Sequence, residues 1–303
     1  MRCGATTTRS YGGQSMKRYC FFCFAVIISA LFFVTEGCSQ AIKGVAFVSV
    51  PGGTFKMGDE TGDLWDGCEP VHTVTVSPFR MSEAEITNTQ YCEYLTTVLA
   101  RGEITAASST VKGAKGAYKG KEYIYLSGSH DADNRCGIIY KNGVFSVVSG
   151  HENWPVIFVT WYGAKAFADF YGCDLAREAE WEYACRGGKQ YLFGTDDGTI
   201  SGKKANYDFG MENIGHPVNV KSYPKNPFGL YDMSGNAWEW CGDLYEKYSA
   251  ASVKNPKGAA SGEDRVYRGG SFYYGDYYSR SAFRDFFNPA TRGYGIGFRV
   301  VRR

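Results

Sequence analysis

Histidine and proline are scarce in this chain, with four and nine among 303 residues. The four histidines, His72, His130, His151 and His216, show no pair at ligand spacing, which argues against a histidine-built metal centre. Against so few prolines stand 38 glycines, well above the usual ~7%, so turns are built from glycine and the fold is expected to be rich in loops. An excess of charge is missing as well: 33 Lys and Arg against 31 Asp and Glu leave a net +2. No global basic field exists to hold nucleic acid, so DNA and RNA are not expected partners. Among Cys68, Cys92, Cys136, Cys173, Cys185 and Cys241 there is no CxxC and no Cys/His cluster, which argues against zinc, and no cysteine follows Cys241. Six thiols in an exported protein allow 15 full pairings, and the sequence does not choose among them. Reduced or paired, they read as structural. A composition that is 44% hydrophobic and 21% charged excludes a mostly disordered chain and supplies a core for about 250 residues.

The amino terminus reads as an address. Lys17 and Arg18 precede an apolar run from Phe21 to Phe33, too short to span a bilayer comfortably, and Gly37 precedes Cys38. This is the layout of a cleaved export signal over residues 1–38, with Met16 a candidate start. It resembles a bacterial lipoprotein signal in which Cys38 takes the lipid. Thr35 and Glu36 stand where such signals usually carry Leu and a small residue, so plain secretion and a retained anchor helix stay open. Acyl chains contribute ~0.8 kcal/mol per buried CH₂, so a multiply acylated Cys38 would hold the chain at a membrane without a spanning helix. The expected location is the outer membrane, lipid-anchored at the cell surface.

Beyond the signal, residues 46–303 read as a single domain. Phe47 to Val50 and Thr54 to Met57 flank a Gly-rich turn as two strands, and His72 to Val76 alternates as a third. Thr87 and Gln90 have capping-box spacing ahead of Tyr91, Leu95, Val98 and Leu99, which predicts a first helix. The stretch near 101–150 reads as an insertion, with Ile138 to Tyr140 and Val144 to Val148 turning about Asn142-Gly143 as a hairpin. Trp161, Ala164, Phe167, Ala168 and Tyr171 form one stripe of a second helix that stops at Gly172. A short third helix carries Glu180 to Ala184, and no long helix is expected after it.

Several motifs belong together: Pro51-Gly52-Gly53-Thr54-Phe55 with Met57-Gly58, Glu85-Ile86-Thr87-Asn88, Pro155-Val156 with Val159-Thr160-Trp161, Arg177-Glu178-Ala179-Glu180-Trp181-Glu182-Tyr183-Ala184, Gly229 to Trp240, Arg268-Gly269-Gly270-Ser271 and Gly297-Phe298-Arg299. In this order, over residues 46–302, they resemble the formylglycine-generating enzyme (sulfatase-modifying factor) family. The resemblance implies an α+β, C-type-lectin-related fold with little regular secondary structure, and the fold alone does not settle the function. Oxidase members carry two cysteines after the Arg-Gly-Gly-Ser motif to bind copper. By position these fall on Tyr274 and Ser279, and neither replaces a thiolate. A second enzymatic branch uses three histidines on iron, which this chain does not supply in any paired spacing. The chain is therefore expected not to be an enzyme. A redox enzyme using another thiol such as Cys241, and a structural envelope component, are the competing readings.

One segment stands apart. Between Phe272 and Tyr294 nine of 23 residues are Phe or Tyr, against 16% aromatic overall, interleaved with Gly, Ser, Asp, Asn, Thr and Arg. Rigid aromatics with small polar neighbours are the composition of a paratope, and no single helical or strand period accommodates all the rings. Residues 269–301 also contain no Lys, Glu, Gln, Met or Trp, although these types make up roughly one residue in six of the chain. They are the amino acids that a codon ending in C cannot encode. The pattern resembles the variable region of a diversity-generating retroelement, which mutates template adenines and ends at a constant Ile-Gly-Phe-Arg, here Ile296 to Arg299. The whole chain is similar to the treponemal variable proteins, which are surface lipoproteins.

That resemblance implies a ligand-binding set of Tyr273, Tyr274, Asp276, Tyr277, Tyr278, Ser279, Phe283, Asp285, Phe286, Phe287, Asn288, Thr291, Gly293 and Tyr294. Arg268, Gly269, Gly270, Arg280, Ala282, Arg284, Pro289, Arg292 and Gly297 to Arg299 would be constant scaffold. The ligand is unnamed, a protein or surface molecule of a host or neighbouring cell. No cofactor is required. Family members with activity hold calcium at the Gly-Asn-Ala-Trp-Glu loop, and by position a structural Ca²⁺ would fall on Asp232, Gly235, Ala237 and Glu239, hard oxygen donors suited to it. The alternative, that these residues only cap turns around Trp238 and Trp240, is left open. A second family site near Asn206 and Tyr207 is disfavoured by the shortened loop that follows.

Overall fold

Alternation places His72, Val74 and Val76 inward along the strand His72–Val76, which pairs antiparallel with Gly53–Met57 and parallel with Val253–Lys254. The structure, a computed structural model, describes residues 41–128, 135–210 and 214–303. The export signal, Cys38 and His130 lie outside the described residues. Three helices follow from their caps. Helix α1 (Asn88–Ala100) starts where Thr87 Oγ1 accepts the Gln90 N–H at 3.3 Å and Gln90 Oε1 accepts the Thr87 N–H at 2.8 Å. It buries Tyr91, Tyr94, Leu95 and Val98. Helix α2 (Trp161–Phe170) is capped by Thr160 and stops at Gly172, whose φ of 61° suits the left-handed position that closes a helix. Helix α3 (Glu178–Cys185) is buried along its whole length, although three of its eight residues are glutamates. The family's α+β fold with little helix is what these elements form.

Two four-stranded sheets organise the rest. One runs in the order Phe47–Val50, Phe79–Ser82, Val300–Arg302, Asp174–Leu175. The other runs Arg284–Phe287, Arg265–Arg268, Trp238–Leu244, Ile296–Gly297, its last pairing parallel. The expected insertion is folded rather than loose. Ile104–Ala106, Thr110–Gly113 and Glu122–Tyr125 form a three-stranded sheet, and Ile138–Lys141 pairs with Val144–Val147 through Asn142 and Gly143, both at positive φ as a tight hairpin requires. One apolar core gathers α1, α2 and the centre of the second sheet, and another gathers α3, the Gly53–Met57 sheet and Leu230. All six cysteines from Cys68 to Cys241 are free thiols, five of them buried.

Candidate functional site

The aromatic segment rides on the edge of the second sheet. Arg284–Phe287 is the edge strand, in register with Arg265–Arg268 so that Asp285 faces Tyr267 and Phe287 faces Arg265. Before it, Asp276–Ser279 makes one 3₁₀ turn. Gly270 permits that turn: its φ is 73°, and a Cβ there would come within 2.5 Å of Ser279 Oγ.

Three arginines lock the segment to the core, and two of them, Arg268 on Glu182 and Arg284 on Glu178, together with Arg303 on Glu180, explain how α3 can bury its glutamates. Arg268 pairs with Glu182 and donates to the carbonyls of Ala282 (2.8 Å) and Phe283 (2.5 Å). Arg284 grips Glu178 with both ends of its fork, at 2.7 and 2.6 Å. Arg299 does the same to Glu239 at 2.6 and 2.7 Å, while the Trp181 indole N–H donates to Glu239 at 2.8 Å. All three guanidiniums are essentially sealed from solvent. Neutralised, bidentate pairs of this kind hold geometry, because losing one partner leaves a buried charge uncompensated. Two further arginines tie the rim: Arg280 reaches Asp63, and Arg292 reaches Glu122 of the inserted sheet while lying 4.3 Å over the Tyr125 ring.

Over this frame four of the rings face outward. Tyr273 and Phe287 are 44% and 45% exposed, and Tyr274 and Tyr278 are 36% each; of the ten most exposed large apolar side chains among the described residues, these are four. The tyrosines meet edge to face as a continuous ribbon, Tyr294 to Tyr273 at 4.9 Å, Tyr273 to Tyr274 at 5.8 Å, Tyr274 to Tyr278 at 5.1 Å and Tyr278 to Tyr277 at 5.1 Å. Asp276 and Asn288 are exposed, and Thr291, Gly293, Tyr294, Asp285, Phe286 and Tyr277 are half-buried. A Cβ at Gly293 would sit 2.7 Å from the end of Ile296.

Two expected contact positions are placed differently. Ser279 is fully buried, its carbonyl accepting from Ser234 Oγ at 2.7 Å, because the 3₁₀ turn rolls it under Gly270. Phe283 is 3% exposed and packs on Trp238 at 5.8 Å and Tyr278 at 5.1 Å, so it is a floor and not an outward ring. Neither position nor Tyr274 offers a thiolate. Among the described thiols, burial pushes Cys68, Cys136 and Cys185 up to about 12 and Cys241 well above the ordinary range.

The expected calcium loop carries its own hydrogen bonds. Glu239, named as a donor, spends both oxygens on Arg299 and one of them also on Trp181. Asp232 accepts the Lys221 N–H at 2.7 Å, and its other oxygen, like Glu85 Oε2, has no partner. Burial pushes Asp232 up to about 6 and Glu85 well above the carboxylate range, the latter also raised by Asp232. Of the expected set, Asp232 keeps one bare oxygen while Glu239 is held by Arg299. At the second family position, Asn206 donates to the His216 carbonyl and to Asn236. Among the described residues no group of three or more His, Cys, Asp or Glu is arranged to hold a metal.

Residues remote in sequence complete the site. Trp65 borders the ribbon with its indole N–H on the Arg284 carbonyl at 2.9 Å, Tyr245 stacks on Phe286 at 3.9 Å, and Tyr267 stacks on Phe287 at 5.3 Å and donates its hydroxyl to Asp285 at 2.8 Å. No local pattern marks them. Pairing across the sheet and the excursion before Cys68 bring them there.

Residues 36–303 match the sulfatase-modifying factor enzyme 1-like domain. The formylglycine-generating enzyme of Streptomyces coelicolor is 35% identical over 287 residues, covering 84% of this chain and 88% of that protein. Among solved structures, Treponema denticola variable protein 1 superposes with a TM-score of 0.61 at 20% identity, covering 87% of this chain and 98% of that one. PvdO from Pseudomonas aeruginosa gives 0.62 at 24% identity, over 87% and 99%.

Proposed function

The chain belongs to the sulfatase-modifying factor family, and on that scaffold we propose a binding protein in place of an enzyme. It displays a retroelement-diversified aromatic surface at residues 273–294, is lipid-anchored through Cys38 at the cell surface, and takes a protein or surface molecule of a host or neighbouring cell. The observation that carries this reading is the division of labour in one short segment: Tyr273, Tyr274, Tyr278 and Phe287 face solvent while Arg268, Arg284 and Arg299 are locked inside. A binding surface needs rigid rings of large area and low rotamer entropy, and these have it. The name of the Treponema denticola neighbour, a variable protein, agrees with it.

The family's oxidase chemistry is the second reading, favoured by the Streptomyces relative's name. Copper oxidation needs accessible thiolates, and here the two positions are Tyr274 and Ser279 while burial raises the pKa of Cys185 and Cys241. Two measurements decide. The DNA beside the gene should hold an adenine-rich near-copy of codons 269–301 and a reverse transcriptase. The purified protein should take up no oxygen with copper(I), and copper-dependent oxygen uptake would reverse the assignment. Once a partner is identified, Tyr277→Ala with Tyr278→Ala should stay folded and weaken binding by about 1 to 2 kcal/mol per ring or more; unchanged affinity overturns the placement of the site.

A further inference from the structure

Beside the ring ribbon lies a cup of about 330 Å³ lined by Trp65, Tyr277, Tyr278, Phe283, Asp285 and Phe286, five aromatic rings and one carboxylate. We propose that this cup is an aromatic cage for a quaternary ammonium group of the choline type. The inference rests on the reading of residues 273–294 as the recognition surface and names the ligand chemistry of part of it.

The walls are set before any ligand arrives. Trp65 is oriented by its hydrogen bond to the Arg284 carbonyl, and its indole lies over Gly67, where a Cβ would come within 2.0 Å of the ring. Phe286 is backed by Tyr245, stacked at 3.9 Å and 28°. Tyr277, Tyr278 and Phe283 stand at 64 to 80° to one another with centroids 5.1 to 5.4 Å apart, so faces and edges surround a common space. Faces of Trp, Tyr and Phe are the negative side of the ring quadrupole and attract a cation, Trp most strongly. Walls already ordered cost little further entropy on binding.

Asp285 sets the sign of the ligand, and its hydrogen bonds set the kind of cation. A neutral apolar guest would take the carboxylate's charge out of water without supplying a counter-charge. Its Oδ2 already accepts the Tyr267 hydroxyl at 2.8 Å and its Oδ1 the Phe286 N–H at 2.8 Å. A Lys or Arg head would bring three or five N–H donors into a space lined mostly by ring carbon. A trimethylammonium group carries a diffuse charge and no donor to satisfy, so it alone meets both the field of Asp285 and the ring faces without leaving a polar group unpaired.

Calorimetry on the whole protein tests this with choline, its neutral isostere 3,3-dimethylbutanol and n-butylammonium. Choline should bind about tenfold more tightly than the isostere, and more tightly than n-butylammonium. Asp285→Asn should weaken choline several-fold and leave the isostere unchanged, and Trp65→Phe should bind more weakly than wild type and more tightly than Trp65→Ala. Equal affinity for choline and the isostere in the wild type, or no heat from choline at millimolar concentration, overturns the cage even if every variant fails to fold. Binding to phosphatidylcholine vesicles as well as to free choline assigns a lipid headgroup as the source; binding to free choline alone assigns a soluble one. If choline fails while the Tyr277 and Tyr278 variant still loses its partner, the cage falls and the wider surface stands. If choline binds while that variant keeps its partner, the wider surface falls.

Discussion

Glu239 and Arg299 show how much one residue pair carries. Both are about 1% exposed, and each satisfies the other with two hydrogen bonds. Arg299→Met leaves a buried carboxylate without its counter-ion, so unfolding in urea should show a loss of about 3 to 5 kcal/mol; adding Glu239→Gln should restore part of it. Asp243 offers a pH test. Burial, with Glu178 nearby, raises its carboxyl to about 7, and its Oδ2 accepts the Glu178 N–H at 2.8 Å. A folded pKa above the unfolded value favours the folded state below the unfolded pKa, and that advantage is lost as pH rises through the folded value. Wild type minus Asp243→Asn stability should therefore fall between about pH 4 and 7, measured as the difference in Tm. Some of this scale is legible in sequence. Thr87 and Gln90 announce their cap because capping is local, whereas the burial of Ser279 and Phe283 and the arrival of Trp65 depend on contacts between residues far apart in the chain.

At the scale of elements, decoration and support separate within one strand and its flanking turns. Replacing Tyr273, Tyr274, Tyr278 and Phe287 together by Ser should lower the thermal midpoint by less than Arg299→Met does, since the rings are partly exposed, although Tyr278 and Phe287 rest on Phe283 and Tyr267. A large drop in a calorimetric scan would show that the ribbon is structural. Helices α1 and α2 and the hairpin at Asn142-Gly143 follow from caps, stripes and turn residues within a few positions of one another. The three-stranded sheet of the insertion does not, because its Gly, Lys and Ser content resembles a loop and its strands of three and four residues gain order by pairing and by Val111 and Ile124 reaching the core. The sheet's tie to the site, Glu122 to Arg292, is invisible until the chain is folded.

For the molecule as a whole, stability comes from two apolar cores and buried ion pairs, with all six thiols from Cys68 to Cys241 free. Alkylation of the native protein with iodoacetamide, resolved by peptide mass, should label Cys173 first and spare Cys68, Cys136, Cys185 and Cys241 until denaturant is added; rapid labelling of Cys241 would revive a thiol-based activity. The family was legible in motif order because Arg268 depends on Glu182, and Glu239 on Trp181 and Arg299, and all sit in recognisable words.

Arg268, Arg284 and Arg299 act as rivets at set intervals along one ribbon of backbone. Adding or deleting a residue within Arg284–Phe287 would break its register with Arg265–Arg268. On the proposed reading, novelty along that strand is confined to swapping letters at constant length.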